Sequence, residues 1–538
     1  IPETVIALCL NFGDNQNFRD DSLRKLAERI GKLKKATRIS LNFAKNINYG
    51  AQKDDQNCTV LVELAKSIPE DLSSIFLDFS DNTNFTSEDF RKLAKSLSKK
   101  GIVNLSLSFA KSTNFDDYGL EQLRIPETAK NLSIDFEWNT NFRGKGLMAL
   151  AATIPASVTS LRLNFAKNFN FDAKSFRRLA EKIPNRAISV MLNFEESTNF
   201  TDRGLEKMAA NMPPRAKIVH LNLRKNKRIT DTGLSALARK MPRGATDIDL
   251  DFQMNEHFTD EALEELGKNL PFLARSISLN FAFTTNFKNE GLEAFAERIP
   301  ATVTKLKLIL AYSKHISDDG LTALARKLPP RITHLNLNFQ YNDEIGTDAL
   351  VQLIEKIARR SKKYTDDFCR GLAQNRREMQ STIKEDQELA RVDEEEEEHE
   401  DAFADDGATR QTSGTEDDTA RHSVSSHSMD VGKYEASEWA KGAISIILNF
   451  EYNTKANDEF LHVLTEKTPL SVKELMLDFH HCKKFTRSGL AKTVELKKRL
   501  NPHYKMRVFA GDVTREGNIE QALGGMMGHG KSTKSVMQ

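Results

Sequence analysis

Hydrophobic and polar residues alternate in short stretches that recur along most of this chain. Polar residues separate Leu161, Leu163 and Phe165, and similar stretches are LNFGDNQNF (10–18), LNFEESTNF (192–200) and LNFEYNTKA (448–456). A period of two is typical of a β-strand that buries one face. We count each unit from the Phe of its LNF-like stretch, position 0, so that Leu161 stands at position −4 of its unit.

The strand-like stretches return at a nearly constant interval. Every step from Phe136 to Phe339 is 29 residues. A fixed period of about 20 to 50 residues predicts a solenoid, in which each unit buries its apolar face only against its neighbours. Position 0 is occupied by Phe12, Phe43, Phe79, Phe109, Phe136, Phe165, Phe194, Leu223, Phe252, Phe281, Leu310, Phe339, Phe450 and Phe479.

A helical pattern follows each strand, as in TDRGLEKMAANMP and TDTGLSALARKMP. Thr or Asp before the apolar residues favours a helix start, and the Pro ends the helix because it lacks an N–H group. Parallel strands joined by helices define an α/β fold, and such connections are right-handed. The sequence therefore predicts fourteen parallel strands with helices outside them.

Position +3 carries only small side chains that can form hydrogen bonds. A chain that leaves a strand in every unit leaves backbone groups inside the stack, and short polar side chains can satisfy them. We predict a structural ladder from Asn15, Asn46, Asn82, Asn139, Asn168, Asn226, Asn255, Asn342, Asn453 and Cys482, with Ser112, Ser197, Ser313 and Thr284 in the remaining units.

These features resemble the leucine-rich repeat (LRR) proteins of the long-helix class, which are similar to ribonuclease inhibitor. ITDTGLSALA (229–238) also resembles the cysteine-containing class of ubiquitin-ligase subunits, in which Cys often takes the ladder position, as Cys482 does here. The resemblance implies a horseshoe with parallel strands on its concave face and helices on its convex face. This chain departs from the family in having Phe where Leu is usual.

The repeat predicts the organisation of the chain. Residues 1–360 form a solenoid of about twelve repeats whose N-terminus is truncated, because Ile1 and Pro2 match the helix end of a unit. A charged helical extension (361–392), an acidic, Ser/Thr-rich disordered insertion (393–440), resumed repeats (441–510) and a Gly-rich flexible tail (511–538) follow. In the resumed repeats, Met506 and Val508 lie 29 residues after Leu477 and Phe479 and indicate a degenerate closing coil.

Charge and cysteine content favour an intracellular, cytoplasmic protein. The net charge is only +2, but residues 393–418 form an acidic run with thirteen Asp and Glu against one Arg. That run is expected to be solvated, or to dock on a basic partner or on the solenoid itself. Four scattered cysteines favour a reduced compartment, and no apolar run approaches the roughly 20 residues of a membrane span.

The sequence contains only weak candidates for a nucleotide-binding or metal site. GGMMGHGKST at 524–533 matches a phosphate-binding loop, but neither the buried strand nor the helix that such a loop requires surrounds it. His480, His481 and Cys482 form a metal-like triplet that lacks further ligands. We expect no catalytic residue, cofactor, metal or small-molecule substrate, and therefore no enzyme.

Partner binding is predicted at the concave face. Position −1 is Asn or Asp in twelve units and indicates a generic polar ladder, whereas position +2 changes from charged residues and Trp138 to Met254, Phe283, Tyr312, Tyr341, Tyr452 and His481. Exposed aromatics favour a protein-binding stripe, and the alternative is a rim that the rings stiffen. His220, Arg224, Asp249 and Asp251 form a second candidate site, for which cross-strand charge pairing is the alternative.

The predicted function is a non-enzymatic scaffold that binds a protein. Because an LRR array joins an acidic segment, the chain also resembles Ran GTPase-activating proteins, although its repeats resume after that segment. A substrate-recognition subunit of a ubiquitin ligase is the third interpretation, suggested by the ITDTGL turns. We expect neither membrane nor nucleic-acid binding.

Overall fold

The computed structural model describes residues 1–15, 19–46, 60–82, 84–98, 101–112, 115–357, 444–468, 472–482, 484–499 and 505–510. The extension 361–392, the acidic insertion 393–440 and the Gly-rich tail 511–538 therefore lie outside the described residues. The chain divides into two units, Ile1–Ile354 with Ile444–Gln538, and Glu355–Ala443. Every described strand belongs to the first unit, and only residues 355–357 of the second are described.

In the described part of the chain, fifteen strands form one sheet in the order of the sequence, and each pairs in parallel with the next. The strands are β1 (Ala7–Asn11), β2 (Arg38–Asn42), β3 (Ser74–Asp78), β4 (Asn104–Ser108), β5 (Asn131–Asp135), β6 (Ser160–Asn164), β7 (Ser189–Asn193), β8 (Ile218–Asn222), β9 (Asp247–Asp251), β10 (Ser276–Asn280), β11 (Lys305–Ile309), β12 (His334–Asn338), β13 (Ile444–Asn449), β14 (Val472–Phe479) and β15 (Lys505–Ala510).

A helix follows each of the first fourteen described strands. The first eleven helices pack consecutively against each other, and so do the last two. The α/β solenoid predicted from the sequence is thereby confirmed. The helices are α1 (Asp20–Ile30), α2 (Val60–Ser67), α3 (Ser87–Leu97), α4 (Asp117–Gln122), α5 (Gly144–Thr153), α6 (Ala173–Ala180), α7 (Asp202–Ala210), α8 (Asp231–Lys240), α9 (Asp260–Lys268), α10 (Asn289–Glu297), α11 (Asp318–Lys327), α12 (347–357), α13 (Asp458–Lys467) and α14 (Arg487–Arg499).

The core lies between the sheet and the helices. In β6, Leu161 and Leu163 are buried whereas Arg162 is exposed on the other face, which we call the open sheet face. The position-0 rings stack from coil to coil, for example Phe43 on Phe79 at 5.3 Å and Phe79 on Phe109 at 5.5 Å between centroids. This ring stacking gives a physical reason for Phe at the position where Leu is usual.

The sheet continues across the insertion. Leu335 and Leu337 of β12 pair with Ile446 and Leu448 of β13, in the register of the uninterrupted coils. The last coil differs from its prediction, because Val508 pairs with Leu477, a spacing of 31 rather than 29 residues. The preceding helix, α14, is 13 residues long, and this extra length shifts the closing strand by two positions.

Candidate functional site

A left-handed residue follows every strand from β1 to β14. At position +2, φ lies between 57° and 67° in all fourteen coils, and none of these residues is Gly. They are Asp14, Lys45, Asp81, Lys111, Trp138, Lys167, Glu196, Lys225, Met254, Phe283, Tyr312, Tyr341, Tyr452 and His481. This column contains all the predicted stripe residues.

A β-turn at the end of each strand explains this backbone conformation. The N–H of Asn342 donates to the carbonyl of Phe339 at 3.1 Å, and Tyr341, the third residue of that turn, has φ 61°. Gln340, the second residue, is not among the residues with positive φ, so the turn is type II, which normally takes Gly at the third place. A left-handed non-glycine residue costs about 1–2 kcal/mol, and such strain persists only where the surrounding structure holds the backbone in place.

Side chains at position −1 hold the turn in place. Asn338 Oδ1 accepts a hydrogen bond from the N–H of Gln340 at 2.9 Å, and the Asn or Asp of each of the other eleven such coils accepts the equivalent bond. Burial is the main cause that raises the pKa of Asp135 and of Asp251 above the ordinary value. The geometry assigns this column to turn formation.

Most side chains at position +3 donate a hydrogen bond to the backbone of the preceding coil, whereas the buried side chains of Ser197 and Asn342 have no hydrogen-bond partner among the described residues. Asn168 Nδ2 donates to the carbonyl of Phe136 at 3.1 Å and to that of Phe165 at 2.9 Å. The Cys482 thiol donates to the Phe450 carbonyl at 3.3 Å, and burial raises the pKa of this thiol to about 12. All members of the predicted ladder are buried except Asn15, which lies in the first coil and is exposed.

Five rings form a continuous stack on the turn side of the sheet. Neighbouring centroids are 4.1–4.2 Å apart along Phe283, Tyr312, Tyr341, Tyr452 and His481, which we call the ring stack. Tyr341 and Tyr452 are thus neighbours, as the sequence predicts if the insertion leaves the solenoid. Hydrogen bonds with the hydroxyls of Tyr312 and Tyr452 raise the pKa of Tyr341 above its ordinary value. All five side chains are half-buried.

Charges occupy the same column in the earlier coils. Their signs alternate from Asp14 to Lys111 and again from Lys167 to Lys225. Lys111 lies 3.9 Å from Asp81, Lys225 is paired with Glu196, and the Lys167 ammonium lies 4.4 Å from the Trp138 ring. Alternating sign was the signal in the sequence that we missed. Neighbouring side chains of column +2 therefore pair within the column, by charge at these earlier coils and by ring stacking from Phe283 onward.

Residues 216–238, which contain β8 and most of α8, match the family model described as Leucine Rich repeat. The chain carries leucine-rich repeats. A comparison with curated proteins finds no match. The ribonuclease-inhibitor-like subclass stays a prediction.

Two solved structures resemble this leucine-rich repeat chain. One is the crystal structure of the Rad7 and Elc1 complex in yeast, with 18% identity over 64% of this chain and 78% of that one, and a TM-score of 0.45. The other is the leucine-rich repeat-containing protein LegL7 from Legionella pneumophila, with 16% identity over 58% of this chain and 86% of that one, and a TM-score of 0.34.

The second candidate site of the leucine-rich repeat chain is arranged differently from its sequence prediction. His220 is in register with Asp249, but its Nε2 lies 3.5 Å from a carboxylate oxygen of Asp247. Arg224 pairs with Glu195 of the preceding coil at 3.6 Å rather than with Asp249 or Asp251. Met254 is half-buried and precedes the ring stack in column +2. Their role in binding remains a prediction.

A second side-chain ladder joins the helix starts of neighbouring repeats, and the sequence reasoning missed it. Asp202 Oδ1 accepts hydrogen bonds from the N–H groups of Thr230 at 2.7 Å and Gly233 at 3.1 Å, and its Oδ2 accepts one from the Thr230 hydroxyl. Asp231 contacts Thr259 in the same way. The recurring T-D-x-G-L stretch was the signal for it.

The described part of the chain contains neither a cluster of metal-ligating side chains nor a helix that could span a membrane. No group of three or more His, Cys, Asp and Glu side chains lies close enough there to hold a metal ion, and His480 Nδ1 contacts Asp478 at 2.7 Å. Among the described helices none is long and apolar enough to cross a membrane. The GMMGHGKS stretch lies outside the described residues.

Proposed function

We propose that this chain is a non-enzymatic scaffold that binds a partner protein through the ring stack and the adjoining open sheet face. The observation that supports it is the ring stack itself. Four aromatic side chains and one imidazole occupy turn positions at which the backbone favours Gly.

The stack leaves a defined surface for a partner. Ring faces at 4.1–4.2 Å are already occupied by neighbouring rings, so the ring edges remain available. Five rings at this spacing extend over about 17 Å, and aromatic clusters of this kind dominate the binding energy of many protein interfaces. The surface fits a protein rather than a small molecule, because it is an open ridge.

The backbone geometry provides a clean test. Tyr312→Gly with Tyr341→Gly removes two rings and relieves strain, because Gly adopts positive φ freely. Glu196→Gly with Lys225→Gly is the matched control, since it makes the same change in the charged part of column +2. We expect the first variant alone to lose partners in a quantitative affinity capture, by at least about 2 kcal/mol of binding free energy, a factor of roughly 30.

Thermal unfolding of both variants completes the experiment. If the ring variant unfolds at a clearly lower temperature and captures the same proteins as wild type, the rings only stiffen the rim and the proposal is wrong. The proteins lost from the capture also distinguish the other interpretations of the sequence. A small GTPase would favour the Ran-GAP-like function, and a ligase adaptor would favour a ubiquitin-ligase subunit.

A further inference from the structure

The side of the solenoid at which the strands begin, opposite the ring stack, is strongly basic over six coils. We define the basic edge as positions −12 to −5 of the coils from Phe194 to Phe339, where each helix ends and the next strand begins. It contains one acidic residue, Asp247, and eleven cations: Lys182, Arg186, Arg215, Lys217, Lys240, Arg243, Arg275, Arg298, Lys305, Lys327 and Arg331.

The six coils of the basic edge form an unbroken run in which every coil contributes at least one cation. The same positions of the preceding Phe165 coil carry no charged residue, and those of the Phe79 coil carry Glu70 and Asp71, although the Phe43 coil, nearer the N-terminus, carries four cations (Lys32, Lys34, Lys35 and Arg38). All the cations of the basic edge are exposed except Lys182, which is half-buried. Among the contacts of the described residues, an ion pair neutralises only Lys327, which lies 3.0 Å from Glu297.

Backbone hydrogen bonds order the basic edge into a row. The N–H of Lys217 donates to Ile188 at 2.7 Å, that of Thr246 to Lys217 at 2.8 Å, and that of Arg275 to Thr246 at 2.9 Å. Neighbouring coils are therefore one strand spacing apart, and six coils span about 24 Å. An extended peptide of about seven residues covers this length.

Exposed apolar side chains lie among the cations. The exposed fraction is 65% for Phe272, 40% for Leu273 and 50% for Ile188. The loop that carries Phe272 is held in place, because the Thr302 hydroxyl donates to the carbonyls of Phe272 and Ala274 at 2.9 and 2.7 Å. The basic edge therefore offers fixed apolar contacts as well as positive charge.

We propose that the basic edge binds an acidic segment of a partner protein that has apolar residues between its carboxylates. Unpaired Lys and Arg attract carboxylates, and Arg binds them with two parallel hydrogen bonds. Leu273 and Ile188 provide no aromatic ring on which a nucleobase stacks, and a single exposed Phe does not form the succession of aromatic platforms that binds single-stranded nucleic acid. Apolar contacts combined with positive charge match an acidic, amphipathic peptide.

The test uses the full chain and a fluorescent peptide in which Asp and Glu alternate with Leu and Phe. Arg215→Glu, Arg243→Glu and Arg275→Glu together reverse the centre of the basic edge. The control, Lys25→Glu, Lys174→Glu and Arg203→Glu, makes the same charge change at exposed helix positions outside it. Fluorescence anisotropy should show at least a tenfold loss of affinity for the first variant and at most a twofold loss for the second.

Two further measurements distinguish an amphipathic acidic peptide from a purely polar acidic peptide and from a nucleic acid. Phe272→Ala should weaken binding of the amphipathic peptide several-fold and leave a peptide of Asp, Glu and Ser unchanged. Oligothymidylate is the competing probe. Equal affinity of the two triple variants for the peptide would overturn the proposal. The proposal would also be wrong if oligothymidylate bound more tightly than the peptide and the first variant lost this binding, because the basic edge would then be a nucleic-acid surface.

Discussion

Asn168 illustrates how single residues hold this solenoid together. Its amide nitrogen lies within hydrogen-bond distance of three backbone carbonyl oxygens, including that of Phe136 in the preceding coil. Asn168→Leu leaves these buried groups unsatisfied and should lower the free energy of unfolding by about 1–3 kcal/mol. Asn168→Ser is the control, because Ser112 occupies the same position and donates to Phe79. Equal unfolding temperatures for wild type and the Leu variant would contradict the role of this ladder.

Cys482 gives a residue-scale prediction about pH. Burial raises the pKa of its thiol to about 12 in the folded chain, whereas an unfolded thiol titrates near 8.5. The unfolded state therefore loses its proton first, and the contribution of this thiol to stability is complete below about pH 8.5 and decreases above it. Iodoacetamide at about pH 9 should label exposed Cys9 and leave Cys482 unmodified until the chain is denatured. Equal labelling of the two cysteines in the native protein would contradict this prediction.

The helix starts show how whole elements are coupled. A Cβ atom at Gly233 would lie 2.4 Å from Asp202 Oδ1, whereas one at Gly204, the same place in α7, would find its nearest neighbour at 3.6 Å. Ala normally favours a helix over Gly by about 1 kcal/mol. We nevertheless expect Gly233→Ala to destabilise the fold by about 1–3 kcal/mol, because it displaces the Asp202 carboxylate from its hydrogen bonds. Gly204→Ala should be neutral or stabilising, and chemical denaturation of both variants provides the comparison.

For the solenoid as a whole, the decisive contact is the pairing of β12 with β13. Phe339 and Phe450 are 111 residues apart in the sequence, yet their rings stack at 5.9 Å. Removal of residues 358–439 restores the 29-residue spacing. We expect the shortened chain to keep its circular dichroism spectrum and to unfold within a few degrees of wild type, because the strand register stays the same. Loss of the cooperative transition would show that solenoid stability requires the deleted segment.

Much of this architecture could be predicted from the sequence because each coil contacts its neighbours through equivalent columns. The period of 29 residues predicted the strands, and the small polar residues at position +3, such as Asn168, identified the ladder. The neighbouring positions of Tyr341 and Tyr452 followed from the same counting. In a solenoid, a constant period determines which residues meet, so counting replaces most of the tertiary information.

Only the tertiary structure decided features that depend on backbone conformation or on diagonal contacts. The left-handed turn carries Tyr312 and Lys225 where Gly is the usual sign of positive φ, so the sequence had no marker for it. His220 contacts Asp247 instead of its register partner Asp249, because side chains lean along a strand. The cations of the basic edge can be counted in the sequence, but only the tertiary structure showed that all except Lys182 are exposed and that, among the described contacts, an ion pair neutralises only Lys327. The reason is that exposure and ion pairing depend on the side chains of the neighbouring coils.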